Sequence, residues 1–395
     1  MKNKLLTLLL AGGALGSETL AQTNSPTAFG NYNVITTAVP FLIISPDSRS
    51  GGMGDVGVST SPDNNSLHWN VAKLAFLENG HNGLSMSYTP WLSRLVPDID
   101  LAYLSYAKQI GRRSGLGLSL RYFSLGEINL TDENGNPQGT LSPNEFAIDG
   151  GYSLQLSQEF SLGVALRYIY SNLAQSAVTS SGSNTQAGQS FAADVGAYYR
   201  SKEINLEKGQ KARYSVGLLL SNIGAKVSYS DAANSDFLPT NLRFGGTFDL
   251  LFDKYNSMAF TVEMNKLLVP TPPVRDPDTG EIIAGQDNNV PPFEGIFQSF
   301  GDAPGGSREE FREIIWNTGV EYNYDDKFFL RGGYQYEHET KGNRKYFTLG
   351  LGIKYNVFGL DFAYLIPATP TVQSPLENTL RFTLYFGLGG GGEDA

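Results

Sequence analysis

A glycine pattern at residues 52–57 is the first place where residue types and spacing could do chemistry. It has the sequence Gly-Met-Gly-Asp-Val-Gly, the GxGxxG spacing that binds a dinucleotide phosphate. Such a site requires the pattern to begin a helix after a strand, because the helix N-terminus binds the phosphate. Here residues 58–62 (Val-Ser-Thr-Ser-Pro) follow, and they do not begin a helix. We therefore interpret these glycines as a tightly packed structural segment.

Two acidic stretches could bind calcium through carboxylate oxygens. Residues 132–136 (Asp-Glu-Asn-Gly-Asn) resemble part of an EF-hand loop, but the glycine comes too early. The glycine of residues 276–280 (Asp-Pro-Asp-Thr-Gly) also comes too early. Asn-Gly and Asp-Pro sequences are typical of turns. We expect turns at both places and no metal site.

Nucleophilic catalysis would need a nucleophile and a base on facing elements. The chain has no cysteine and three histidines, His68, His81 and His338. Serine and aspartate are common near His338, but no spacing selects a triad. The sequence therefore predicts no catalytic residue, no metal ligand and no cofactor, and hence a protein that is not an enzyme.

The elements that must position any functional residue are β-strands. From residue 83 to 388, apolar and polar residues alternate in about fourteen segments, the pattern of strands with one lipid-facing and one interior side. In residues 346–355 the apolar residues fall on every second position and glycine, threonine and lysine fall between them. The predicted strands are 83–91, 100–109, 114–125, 145–156, 160–172, 189–200, 212–223, 239–250, 256–267, 313–324, 327–338, 344–355, 358–366 and 378–388.

The connections between these strands alternate strictly between tight turns and long polar loops. This alternation is typical of an outer-membrane barrel, whose short turns face the periplasm and whose long loops face the outside. The sequence thus predicts an all-β fold, a 14-stranded antiparallel transmembrane β-barrel with an N-terminal luminal plug. The longest loop, 268–312, is long enough to be functional. Its aromatic residues Phe293, Phe297 and Phe300 lie among polar residues, which suits either a partner interface or packing onto the barrel.

Charged residues recur on the predicted inner faces in nearly balanced numbers. We expect them to form an ion network in the lumen, either as a structural filling or as a selectivity filter for a solute. The cations are Arg121, Arg167, Arg243, Arg331, Lys354 and Arg381, and the anions are Asp194, Asp249, Glu263, Glu321, Glu337 and Asp361.

The termini and the net charge indicate the compartment. Residues 1–21 have the basic start, short apolar run and small-residue end of a secretory signal peptide. We expect residues 22–80 to form the plug, 81–388 the barrel, and 389–395 a glycine-rich periplasmic tail. The formal net charge of -10 argues against nucleic acid as a partner.

Two stretches resemble known outer-membrane barrels. Residues 50–58 and 63–76 resemble the luminal plug of the FadL-like transporters, although Val71 replaces the proline of their Asn-Pro-Ala element. Residues 40–57, followed by His68-Trp69-Asn70, resemble more closely the PorV-like (LptO-like) family of the type IX secretion system. The plug motif that carries this resemblance consists of Gly52, Gly54, Asp55, Gly57, Trp69 and Asn70.

The second resemblance implies a non-enzymatic shuttle in the outer membrane. Its partners would be the translocon barrel, cargo proteins with a C-terminal secretion domain, the cell-surface sortase complex, and the surrounding outer-membrane lipid and lipopolysaccharide. The first resemblance implies the alternative, a transporter of hydrophobic solutes. It would require an apolar passage behind the plug and an opening in the wall.

Overall fold

The computed structural model describes residues 32–92, 98–132, 134–173, 186–229, 235–368 and 379–388. The predicted signal peptide and glycine-rich tail lie outside these residues. Within the described part of the chain, no helix has both the length and the apolar character needed to cross a membrane.

Fourteen long strands form the main sheet. In chain order they are β1 Asn82–Pro90, β2 Ile99–Ile110, β3 Ser114–Leu125, β4 Asn144–Gln155, β5 Phe160–Asn172, β6 Gly188–Arg200, β7 Lys211–Gly224, β8 Asn241–Leu251, β9 Asn256–Leu267, β10 Ile315–Tyr324, β11 Phe328–Tyr336, β12 Lys345–Tyr355, β13 Phe358–Pro367 and β14 Leu380–Gly387.

Every strand pairs antiparallel with its neighbours in sequence, and β14 pairs with β1 to close the barrel. A two-residue strand, Ile204–Asn205, pairs with the start of β7 as an extra member of the sheet. The predicted all-β, 14-stranded antiparallel barrel is confirmed. Strand boundaries differ from those predicted by about two residues or fewer, the usual uncertainty at element ends.

Alternation along each strand separates an outer from an inner face. On β5, Leu166 is 71% exposed on the outer face, whereas its neighbour Arg167 is buried on the inner face. Closure is what makes this arrangement stable in lipid, because every strand edge is paired. The tight turns, such as residues 111–113 and 356–357, gather at one end of the barrel, and the long loops gather at the other.

The remaining elements are short. The helices are α1 Ser48–Gly51, α2 Ser66–Trp69, α3 Pro292–Gln298 and α4 Ser307–Arg312, and the 3-10 helices are Pro40–Ile43, Val71–Phe76, Glu207–Gly209 and Glu339–Lys341. Two-stranded ribbons in the loops pair Ile128–Thr131 with Pro137–Leu141, Val227–Ser228 with Ser235–Asp236, and Val274–Arg275 with Ile282–Ala284.

Residues 33–81, which we call the luminal segment, run from the long-loop end to the tight-turn end. At one end the Asn33 N–H donates to the Thr340 carbonyl, and at the other the His81 carbonyl accepts from the Gln109 N–H. Between them the segment packs against inward-facing glycines of the strands. A Cβ on Gly217 would lie 2.0 Å from the Val58 oxygen, so only glycine permits this approach.

Candidate functional site

The centre of the luminal segment is held by Trp69 and Asn70, both fully buried. Trp69 Nε1 donates to Asp47 Oδ1 at 2.6 Å. Asn70 Nδ2 donates to the carbonyls of Val58 and Ala197 at 3.0 Å each, and its Oδ1 accepts from the Ala72 N–H at 3.0 Å. These bonds join distant parts of the segment to each other and to β6. Asn70 is the N-cap of the 3-10 helix Val71–Phe76, as its sequence position suggests.

The glycines of the plug motif are required for close packing. Gly54 has φ +71, and a Cβ there would lie 2.6 Å from the Tyr334 nitrogen of β11. A Cβ on Gly57 would lie 2.2 Å from the Trp69 ring, and one on Gly52 would lie 2.8 Å from the Gly350 Cα. The GxGxxG spacing therefore fits a segment packed against a strand and an indole ring, in a setting without the strand–helix unit of a nucleotide site.

The first group of luminal charges is centred on Arg167. Its guanidinium donates to Asp149, to Asn222 and to Asp194, with Nη2 3.0 Å from Asp194 Oδ2. All of these residues are buried. Asp149 also accepts from the Ser119 hydroxyl at 2.7 Å, so the group links β3, β4, β5, β6 and β7.

A second group joins the luminal segment to the wall. Arg331 lies between Glu321 (2.7 Å) and Asp361 (2.6 Å) on the inner faces of β10, β11 and β13. Arg49 of α1 lies between the same Glu321 (2.9 Å) and Asp63 (2.8 Å). One wall carboxylate is thus shared by two arginines, one from the wall and one from the luminal segment.

Two further pairs hold the plug motif itself. Arg243 Nη1 lies 3.1 Å from Glu263 Oε1, and the other oxygen of Glu263 accepts from the Gly57 and Val58 N–H groups at 2.7 and 2.9 Å. Arg381 Nη1 lies 2.7 Å from Asp55 Oδ1. The backbone and carboxylate of the GxGxxG stretch therefore bind wall residues.

Two members of the predicted network do not pair as expected. Within the described part of the chain, Arg121 has no carboxylate at ion-pair distance. It donates instead to the carbonyls of Phe41 and Leu42 and contacts His68 Nδ1 at 2.6 Å. Lys354 is exposed rather than buried, because it lies on β12 beside the tight turn 356–357.

The remaining anions lie away from the central groups. Asp249 pairs with Arg213 at 3.3 Å on neighbouring strands, and Glu337 pairs with Arg344 at 2.8 Å in the loop after β11. Sequence reasoning missed Arg49, Asp63 and Asp149 as network members. Arg49 and Asp63 lie outside any alternating strand, so no inner face could be assigned to them. Asp149 lies on a predicted inner face and could have been found.

The long loop after β9 is firmly attached to the barrel. Lys266 at the end of β9 binds Glu310 at 2.9 Å and Glu313, and Lys341 of the next long loop binds Glu309 at 2.6 Å and Glu313 at 2.9 Å. Asn33 of the luminal segment donates to Glu309 Oε1 at 3.1 Å and to the Pro272 carbonyl at 3.2 Å. The loop, the luminal segment and a neighbouring loop therefore share one set of buried polar contacts.

The loop after β9, held by these ion pairs, exposes aromatic side chains on its outer surface. Phe293 and Phe297 of α3 are 71% and 65% exposed, and their rings contact edge to face at 5.2 Å between centroids. The opposite side of α3 packs onto the loop between β7 and β8, since a Cβ on Gly295 would lie 2.9 Å from Phe237. Phe300 is also exposed. The helix thus packs through its small residue and leaves its phenylalanines uncovered.

The sequence matches the family model for the type IX secretion system protein PorV over residues 27–274, more than half of the chain. The chain belongs to this family. The matched residues include the whole luminal segment described and the first nine strands of the PorV-family barrel. No curated protein matches the chain.

Solved structures with a similar course of the chain include three outer-membrane barrels. The toluene transporter TodX of Pseudomonas putida is 13% identical, with 85% of this chain and 95% of that one covered and a TM-score of 0.44. The monoaromatic hydrocarbon channel CymD is 13% identical (88% and 98% covered, TM-score 0.48), and a FadL homologue of Pseudomonas aeruginosa is 11% identical (91% and 100%, TM-score 0.42). At these values the likeness carries no argument about the function of the PorV-family chain.

The residues considered for metal or acid–base chemistry have structural contacts. Asp132 and Asp276 each accept backbone N–H groups two or more residues ahead, which makes both stretches turns. His338 lies beyond the end of β11, not within the strand as predicted, and caps the 3-10 helix Glu339–Lys341 through its Nδ1. His81 contacts Asn64. Among the described residues, no three histidine or carboxylate side chains are grouped as a metal site.

Proposed function

We propose that this protein is a non-enzymatic component of the type IX secretion system in the outer membrane. It receives cargo that carries a C-terminal secretion domain at the translocon barrel and delivers it to the cell-surface sortase complex. Membership of the PorV family supports the secretion context. The observation that supports the handover role is an aromatic surface formed by α3 and the residues just after it, which we define as Phe293, Phe297 and Phe300.

The position of this surface suits a partner outside the cell. It belongs to the longest of the long loops, and long loops of outer-membrane barrels face the exterior. Aromatic residues are enriched at protein interfaces, where a few of them provide most of the binding free energy. Ion pairs hold the loop that carries this surface against the barrel. Binding therefore costs little conformational entropy, because the loop is already ordered.

The small size of the aromatic surface suits an interface that releases what it binds. A shuttle needs moderate affinity, and weak transient contacts are typically the small ones. The alternative, a transporter of hydrophobic solutes, would need an apolar passage through the lumen. The inner faces instead carry buried ion pairs such as Arg167–Asp194 and Arg331–Asp361, and for this reason we favour secretion.

The experiment is a double substitution on the aromatic surface, Phe293→Ser with Phe297→Ser. Neither side chain is buried, so the barrel should reach the outer membrane in normal amount and remain heat-modifiable. Cargo should accumulate unprocessed inside the cell instead of appearing processed on the surface. The matched control is Ile283→Ser, an equally exposed apolar residue of the same loop that lies outside the aromatic surface.

Normal surface processing of cargo by the double variant would show that the aromatic surface is not the handover site. If deletion of the whole gene leaves secretion intact while uptake of fatty acid falls, the transporter replaces the secretion role.

A further inference from the structure

A cavity of about 400 Å³ lies between the long loop after β9 and the outer wall of the barrel. Its wall side is formed by Leu242, Met264 and Ile314, and its loop side by Phe300 and Phe311. All five are apolar. The volume lies toward the lower end of ligand pockets, roughly 300–1,000 Å³.

The cavity opens on the lipid side of the barrel and not on the lumen. Leu242 and Met264 alternate with the buried Arg243 and Glu263, so they share the outer face with Phe244 and Val262. Met264 is also directly opposite the exposed Trp316 on β10. The wall of the cavity therefore continues the apolar outer surface of the strands.

One end of the cavity is polar, and it is the end nearer the cell surface. Lys266 follows Met264 on the same face, two residues closer to the long loop, and its ammonium is bound by Glu310 and Glu313. Ser307 and Glu310 also line the cavity. Polarity thus rises from the membrane toward the exterior, as it does along a lipid of the outer leaflet.

We propose that this cavity binds an acyl chain of one outer-leaflet lipid. The chain lies against Met264, Leu242 and Phe311, and the lipid head group lies near the Lys266–Glu310 pair. The apolar part of the cavity offers water no hydrogen-bond partners. The cavity continues the apolar outer face of the strands, and occupation by an alkyl chain restores the packing that the open space lacks.

The occupant is a lipid rather than a protein segment because of the position and the charges. The cavity adjoins the lipid-facing wall, and the cations at its polar end are already paired with carboxylates, which leaves the apolar contacts to determine binding. Phe300 belongs both to the aromatic surface and to the cavity lining, whereas Phe293 and Phe297 do not line the cavity. Variants at Phe293 and Phe297 therefore test partner binding without altering the cavity.

The test is native mass spectrometry of the full mature protein, purified from outer membranes in mild detergent. The wild type should retain one lipid molecule. Met264→Trp places an indole in the cavity and should remove that lipid. Val262→Trp places the same indole on the same face of β9, outside the cavity, and should retain it. If Met264→Trp does not yield a heat-modifiable barrel, Leu242→Phe serves as the second filling variant.

The proposal is overturned if the wild type carries no lipid, if it carries only a detergent molecule, or if a folded filling variant retains the lipid as the control does. Re-addition of dipalmitoyl phosphatidylglycerol to the delipidated wild type should restore one bound molecule, and failure to do so also counts against the site. These outcomes are separate from the test of the secretion role, which uses Phe293 and Phe297, two residues outside the cavity lining.

Discussion

At the scale of single residues, the lumen shows how a barrel accommodates buried charge. Removing an ion from water is costly, and the cost is offset only where partners satisfy both the charge and the hydrogen bonds. Arg167 and Arg331 each meet two carboxylates, whereas Arg121 meets two backbone carbonyls. In each case a network of several elements, and not an isolated pair, surrounds the arginine.

We expect Arg167→Leu to destabilise the barrel by roughly 3–5 kcal/mol, because Asp149 and Asp194 would then lose their shared buried cation. The measure is the temperature at which the folded band converts to the unfolded band on semi-native gels. The preceding residue, Leu166, lies on the exposed outer face, so Leu166→Val should barely change that temperature. Equal shifts for the two variants would mean that Arg167 does not face the lumen.

At the scale of elements, the long loop after β9 is a structured unit rather than a flexible connection. Its second helix, α4, is attached through Glu309, Glu310 and the following Glu313 to lysines of β9 and of the neighbouring loop. Asp302 adds a contact within the loop by accepting from the Thr271 N–H at 3.0 Å, which holds residue 302 against the stretch that follows β9. Several carboxylates lie close together in this part of the loop. Their proximity makes the attachment of the loop sensitive to pH.

Burial, and then the negative charges of Glu310 and Glu313, raise the pKa of Asp302 from 3.8 to about 6. Because the attached form binds the proton more tightly than the free loop, the stability of attachment should fall as pH rises from about 4 through 6. Above pH 6 the loss should be complete. Asp302→Asn keeps an acceptor for Thr271 without the charge, so it should remove this dependence.

Hydrogen–deuterium exchange of peptides from residues 290–312, corrected for intrinsic rates, measures the attachment. At pH 7.5 the Asp302→Asn loop should be better protected than the wild type, and at about pH 4, below the window in which Asp302 titrates, the two should converge. Asp278→Asn, an exposed position of the same loop, should follow the wild type at both values. If protection of the wild-type loop increases with pH, the pH dependence of the attachment does not arise from Asp302.

At the scale of the whole molecule, the closed barrel and the luminal segment together define a filled structure. The strands supply inward glycines at the places where the segment approaches, and the segment supplies Arg49, Asp55 and Asp63 to charges on the wall or within itself. Wall and segment are therefore complementary in shape and in charge. We propose that the segment acts as a plug that closes the barrel to ions.

The intact protein should accordingly show no stable porin-like conductance in planar bilayers. Deletion of residues 41–77 should either open a conducting pore or abolish assembly, since it removes Arg49, Asp55 and Asp63 from the lumen. The readout is the single-channel current at fixed voltage, after heat modifiability has shown that the barrel is folded. A large steady current through the intact protein would favour a solute channel.

The sequence by itself determined the strand number, the faces of each strand and the alternation of loop lengths. These follow from period-two alternation and from turn composition, which are local properties of the chain. The prediction that Asn70 caps a helical turn also depended only on neighbouring residues. The motif around residues 40–70 also indicated the family that the sequence match shows.

Only the tertiary structure decided which charges meet. Arg49 and Glu321 are 272 residues apart, and their contact depends on closure of the barrel around the luminal segment. Arg121 was expected to pair with a carboxylate, but the backbone of residues 41–42 lies nearer. The cavity beside Met264 likewise exists only because a loop folds back over an outer face. Alternation determines the direction in which a side chain points, whereas its partner depends on which distant segments the closed sheet brings to it.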